Sequence, residues 1–173
     1  MHCGPSSACH DRSYRVPGAG GPDVTARFPP VAVTAAFGLA MWLVAGAMPM
    51  LRFDFPGRRA AALALLVLGA ATSLAGVIEF RRSRTTTNPL HPGAASALVV
   101  TGIYTRSRNP MYLGFAVTLL AWSVWLAHPV TLLGIAGFVA WMNRLQIVAE
   151  ERAIGALFGE EFERYRNRVR RWI

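Results

Sequence analysis

Residues 111–151 read MYLGFAVTLLAWSVWLAHPVTLLGIAGFVAWMNRLQIVAEE, and this stretch decides the fold. Met111 to Ala127 is 17 residues without a charge. After His128-Pro129, Val130 to Met142 adds 13 apolar residues, and continuing to Val148 makes 19 by taking in Asn143, Arg144 and Gln146. A bilayer core takes roughly 20 apolar residues, with a lower limit near 17. Both runs therefore read as membrane helices. The second ends in polar groups at the membrane surface, where Arg144 can snorkel outward. The two residues between them leave room only for a tight antiparallel hairpin.

Two further runs lie upstream. Val31 to Leu51 is 21 residues without a charge and Ala60 to Ile78 is 19. The expectation is an all-α integral membrane protein with about four spans, at 31–51, 60–78, 111–127 and 130–148. Composition agrees: 53% of residues are hydrophobic and 16% charged, against about 25% charged in soluble domains. Residues 31–173 form one domain in this reading. Residues 1–30 are rich in Gly, Pro and Ser without an apolar period, and are expected to be a disordered tail. Asp11 and Asp23 interrupt the tail and it has no apolar core segment, so it does not read as a signal peptide. His2, Cys3, Cys9 and His10 lack the paired spacing of a zinc site, and no metal is expected.

The net charge is +9 and all 18 basic residues are arginine. Such a balance suits nucleic acid when it covers one polar face. Here the arginines cluster between apolar runs, which argues for membrane topology and against a nucleic-acid partner. With four spans, 15 of the 18 arginines fall on the side of both termini and of the 79–110 link. Arg52, Arg58 and Arg59 fall on the other. The positive-inside rule then places the termini and the link in the cytoplasm, with the bilayer as the first partner.

The 79–110 link is broken by Pro89, Pro92, Gly93 and Gly102, and long links in compact domains are usually functional or disordered. Near the C-terminus, Phe158, Phe162, Tyr165, Val169 and Trp172 recur at steps of four, three, four and three, with arginines opposite. This predicts an amphipathic helix that either lies in the membrane interface or packs back on the protein's own loops. Polar groups gather at one level, in the link before the third span and at the end of the fourth. There Asn143, Gln146 and Glu150 step by three and four, which places them on one helical face.

The pattern Thr101-Gly102-x-Tyr104-x-x-x-Arg108-x-Pro110-x-Tyr112-x-Gly114 resembles the cofactor motif of isoprenylcysteine carboxyl methyltransferases and related phospholipid methyltransferases. Those enzymes continue with a helical hairpin, a Glu-Glu pair and a Phe-Gly-Glu tail. This chain continues with Glu150-Glu151 and Phe158-Gly159-Glu160-Glu161-Phe162-Glu163-Arg164-Tyr165. The resemblance covers about half the chain, roughly residues 85–173. It implies an S-adenosylmethionine pocket lined by Ser96, Ala97, Leu98 and Val99, by Tyr104, and by Asn109, Pro110, Met111 and Tyr112, with Glu150 also meeting the cofactor.

The chemistry of those residue types suits that cofactor. A carboxylate accepts from ribose hydroxyls or an ammonium. Tyr104 or Tyr112 can face a sulfonium through the ring quadrupole. Arg108 has the fork geometry for the cofactor carboxylate or, equally, for a lipid headgroup. Pro110 suits the first turn of the third span. Two positions depart from the eukaryotic enzymes. Asn109 stands where they carry His, and Asn does not titrate, so no general base is expected there. Gln146 stands where the prenylcysteine enzymes carry an Arg that meets the substrate carboxylate, and Arg144 is two residues away on a different face. Gln146 and Arg144 are the candidate substrate contacts.

The reading is thus a membrane methyltransferase using S-adenosylmethionine on a lipophilic or small acceptor. Two other readings compete. Membrane sterol reductases share an Arg-x-Pro-x-Tyr region and use a nicotinamide cofactor, but are usually much longer. A non-enzymatic binding or assembly protein of the membrane has no need of Glu150 and Tyr112.

Overall fold

The computed structural model describes residues 28–83 and 98–173. Four helical segments carry the expected apolar runs. Helix α1 spans Pro30–Ala47, α2 spans Arg58–Arg82 and α3 spans Pro110–Leu126. The fourth runs continuously from Pro129 to Phe158 through α4 (Leu132–Trp141), a π-helical turn (Met142–Ile147) and α5 (Val148–Phe158). A last helix, α6, spans Glu160–Arg168. Among the described residues there is no strand.

Three of these segments, Pro30–Ala47, Arg58–Arg82 and Pro129–Phe158, are long and apolar enough to cross a membrane, and α3 is apolar with 17 residues. Their outward faces are apolar too. Leu63 is 61% exposed, Val67 60% and Leu133 72%. A soluble protein does not present so continuous an apolar perimeter, whereas lipid tails cover it at no cost. The chain is an all-α integral membrane protein.

Inside the bundle, contact is made by small residues. α2 and α3 share the most extensive interface, along Gly69, Ser73 and Gly76 of α2. A side chain at Gly69 would strike the Gly114 carbonyl and the Thr118 backbone, so the two helices approach backbone to backbone. Ser73 Oγ donates to the Met111 carbonyl at 3.1 Å. Close approach through small residues replaces the hydrophobic drive that lipid surroundings cannot supply. α1 lies on α3 and α4. Phe37 meets Phe138 edge-on at 5.9 Å, and Trp122 Nε1 donates to the Gly38 carbonyl at 3.0 Å. Phe138, Met142 and Ile147 are the fully buried centre.

α1 ends at Ala47 rather than Leu51. Pro49 disfavours helical backbone at the residue before it, and Met48 accordingly leaves the helix at φ −126°. The hairpin turn is as tight as expected: Ala127 adopts a left-handed φ of 51° and His128-Pro129 starts the next helix. This end of the bundle is tied by Phe53 N donating to the Ala127 carbonyl at 2.8 Å and by the His128 Nε2 to Met48 carbonyl contact at 3.0 Å. Between α1 and α2, over α3, an apolar groove of about 700 Å³ opens toward the lipid, lined by Leu39, Trp42, Leu63, Leu66, Trp122 and Trp125.

The C-terminal apolar residues divide between two places. The helix breaks at Gly159, φ 49°, and Val169 to Ile173 is not helical. Phe162, Tyr165 and Val169 are buried with Leu98, Val100, Ile154 and Phe158 against them. Trp172 instead joins the main core. The segment therefore packs back on the protein's own loops, the second of the two expected arrangements.

Candidate functional site

Pro110 is the first residue of α3, where its missing N–H is no loss, and it is fully buried. That start fixes the two residues that follow it. Met111 faces the core and Tyr112 is buried with its hydroxyl toward the fourth segment. Tyr112 Oη donates to Glu150 Oε1 at 2.6 Å, across 38 residues of sequence. Gln146 Nε2 donates to the same oxygen at 2.7 Å. Tyr112, Gln146 and Glu150 thus form one connected polar group between α3 and α5.

Glu151 belongs to a different group. Arg108 Nη1 lies 2.9 Å from Glu151 Oε1, and Arg171 Nη2 lies 2.6 Å from Oε2. These side chains are 12% (Arg108), 16% (Glu151) and 32% (Arg171) exposed, so two guanidiniums share one largely buried carboxylate. Arg108 Nε is buried with no hydrogen-bond partner among the described residues. Burial lowers the Arg108 pKa below the usual guanidinium value, and Glu151 opposes that shift. Arg171 Nη1 also reaches Asn143 Oδ1 at 3.5 Å, and Trp172 Nε1 donates to it at 3.0 Å.

Asn143 therefore does not share the face of Gln146 and Glu150, as straight α-helical spacing implied. The π-helical turn over Met142–Ile147 holds one residue more than an α turn, and this rotates Asn143 toward the C-terminal segment. Gln146 and Glu150 remain one turn apart and stay together.

The C-terminal segment closes over the Ser107–Asn109 loop. Arg108 N donates to the Arg170 carbonyl at 3.0 Å. Asn109 Nδ2 and Ser107 Oγ donate to the Arg171 carbonyl at 3.3 and 3.4 Å. Farther along, Tyr165 Oη donates to the Tyr104 carbonyl at 2.7 Å. Burial pushes the Tyr165 phenol up to about 12, with Arg108 and Arg168 opposing. Tyr104 is pushed well above an ordinary phenol, first by burial, then by Tyr165, Glu150 and Glu79. Both tyrosines are neutral hydroxyls at physiological pH.

Of the expected cofactor residues, Tyr104 lies in a short helical turn at Gly102–Thr105, and Arg108, Asn109, Pro110, Met111, Tyr112 and Glu150 lie along the Ser107–Asn109 loop and the two facing helix ends. Leu98 packs on the Phe162–Val169 cluster and Val99 is buried. Ser96 and Ala97 lie outside the described residues, as does the Cys3/Cys9 stretch. Of the two candidate substrate contacts, Gln146 is in the polar group and Arg144 is exposed. Sequence reasoning missed Arg171, Trp172, Ser107 and Glu79. Their positions depend on how the chain returns on itself, and no local pattern marks that.

A family model described as phospholipid methyltransferase matches residues 58–161, more than half of the chain. The chain belongs to the phospholipid methyltransferase family. The matched region contains α2, α3, the hairpin, the π turn and both glutamates, and so the Tyr112–Glu150–Gln146 group, while Tyr165, Arg171 and Trp172 lie beyond it. An uncharacterized protein of Haemophilus influenzae is 41% identical over 63 residues, which make up 36% of this chain and all of that protein.

Proposed function

We propose that this membrane methyltransferase uses S-adenosylmethionine to methylate a lipophilic or small acceptor at a site facing the cytoplasm, in a four-span topology. The observation that carries the reading is the Tyr112–Glu150–Gln146 group. It joins the tyrosine of the Arg-x-Pro-x-Tyr motif to the first glutamate of the pair, two of the residues that the family resemblance assigns to the cofactor.

The residues present fit that cofactor. Glu150 is partly exposed and held from two sides, which suits a carboxylate that receives ribose hydroxyls or an ammonium. Arg108, with a buried Nε that makes no hydrogen bond among the described residues, suits the carboxylate end of the amino-acid moiety. Bound there, the cofactor would supply the methyl group on its sulfonium. The chain's own contribution is binding and orientation. Tyr112 and Gln146 fix the Glu150 carboxylate, and the C-terminal segment fixes the Ser107–Asn109 loop. Proximity and alignment supply up to about 7–11 kcal/mol in well-oriented systems. Asn109 does not titrate, so it does not act as a general base.

The placement of 15 of the 18 arginines supports a cytoplasmic site. The test is incubation of the purified protein with radiolabelled S-adenosylmethionine and membrane extract, followed by identification of the labelled species. Label in a lipid or small molecule, lost in Glu150→Gln, is the expected result. Absence of both label and cofactor binding contradicts the reading. Binding of a nicotinamide cofactor instead would favour a reductase.

A further inference from the structure

Glu79, in the last turn of α2, lies outside the motif that carries the cofactor assignment. Yet it meets that motif at consecutive residues. Thr101 Oγ1 donates to Glu79 Oε1 at 2.5 Å. The next residue, Gly102, has φ +58°, and a Cβ placed on it would fall 2.6 Å from Glu79 Oε2. The carboxylate thus occupies the space that any side chain at 102 would need. Glycine suits that backbone angle, and a side chain there would have to displace the carboxylate. One residue along α2, Phe80 meets the Tyr104 ring edge-on at 5.2 Å. The turn Gly102–Thr105 is therefore seated on the end of α2 by Glu79 and Phe80 together, while Tyr165 holds the Tyr104 carbonyl from the other side.

We infer that Glu79 is a positioning residue of the methyltransferase site: its carboxylate docks the Thr101–Tyr104 turn onto α2 and so sets where Tyr104 stands. The inference rests on the reading that this turn borders the S-adenosylmethionine pocket. Its physical content is separate from that reading. A hydroxyl bonded to a carboxylate is a charge-assisted contact, stronger than a neutral one. It adds to the turn's own bonds, Tyr104 N to the Thr101 carbonyl at 3.0 Å and Thr105 Oγ1 to the Gly102 carbonyl at 2.8 Å, and ties the turn to α2.

The test combines amide hydrogen exchange with cofactor calorimetry on the full chain in detergent. Glu79→Ala is expected to speed exchange across residues 101–105 while leaving α3 unchanged. It should weaken S-adenosylmethionine binding by about tenfold, the size of one lost charge-assisted hydrogen bond. Glu79→Gln keeps an acceptor oxygen without the charge and is expected to recover about half of the loss on a logarithmic scale. Thr101→Val should lose as much as Glu79→Ala, and the double variant no more than either, because one contact is removed in all three. Gly102→Ala should weaken binding in the wild type and weaken it less in the Glu79→Ala background, where the clash is gone. Unchanged exchange at 101–105 in Glu79→Ala, or losses that simply multiply in the double variant, would overturn the docking role. Faster exchange in a protein whose wild type binds no S-adenosylmethionine would instead overturn the cofactor reading, and the site role with it.

Discussion

Glu150 and Glu151 are adjacent in sequence and serve different regions of the molecule. Successive residues on an α-helix point about 100° apart, so a pair of glutamates cannot face one partner. Glu150 turns toward α3 and meets two neutral donors, Tyr112 and Gln146. Glu151 turns toward the C-terminal segment and meets two cations, Arg108 and Arg171. The first arrangement orients a carboxylate through two neutral hydrogen bonds. The second neutralises a carboxylate and in doing so pins the chain end over the Ser107–Asn109 loop. The difference separates a group suited to binding a ligand from one that holds the site in shape. The π turn extends the same division backward, sending Asn143 to the side of Glu151 and leaving Gln146 with Glu150.

The largest expected effect belongs to the structural half. Glu151→Gln leaves Arg108 and Arg171 close together without their shared countercharge, and Arg108 is largely buried. Removing one partner of a buried ion pair costs about 3–5 kcal/mol. Thermal unfolding in detergent should therefore show a clear drop in Tm. A variant as stable as the wild type would mean that the C-terminal clasp contributes little. Next comes the packing beneath both halves. Gly114→Ala puts a methyl against Ser73 and the Gly69 carbonyl of α2, and overpacking of this kind costs about 1–3 kcal/mol. An unchanged Tm there would contradict backbone contact between α2 and α3.

Much of the architecture was legible because lipid imposes long uncharged runs, and those runs survive without any knowledge of tertiary contacts. Pro110 at the start of α3 and the His128-Pro129 hairpin were legible for a similar reason, since proline constrains its own neighbourhood. The end of α1 at Ala47 was also written locally, in Pro49, although the uncharged run continues to Leu51. What was not legible depends on a change of helical period or on the path of the returning chain. The π turn over Met142–Ile147 leaves no mark in hydropathy, and across it Asn143 meets Arg171 and Trp172 while Gln146 meets Glu150. Arg171 and Trp172 read as the end of an amphipathic helix. They reach the site because the helix stops at Arg168 and the chain doubles back along Ser107–Asn109.

The smallest effect tests that return path. Tyr165→Phe removes the bond to the Tyr104 carbonyl and should cost about 1 kcal/mol, read as a small fall in Tm. The same residue has a pH signature. A free phenol ionises near 10 and the buried Tyr165 near about 12. The unfolded chain therefore releases this proton first. The stability that the neutral phenol contributes is whole below pH of about 10 and is lost as pH rises toward about 12. Alkaline denaturation should be shallower in Tyr165→Phe than in the wild type. Equal slopes would contradict burial of that hydroxyl.

The division of labour between the two glutamates is tested most directly by S-adenosylmethionine calorimetry on wild type, Glu150→Gln and Glu151→Gln, with Tm measured on the same samples. Hydrogen bonds to a charged group contribute about 1.5–3 kcal/mol. Glu150→Gln should therefore bind the cofactor roughly tenfold to a hundredfold more weakly at a nearly unchanged Tm. Glu151→Gln should show the larger fall in Tm and the smaller loss of affinity. Normal cofactor binding by Glu150→Gln, with the loss appearing in Glu151→Gln instead, would contradict the assignment of the two carboxylates.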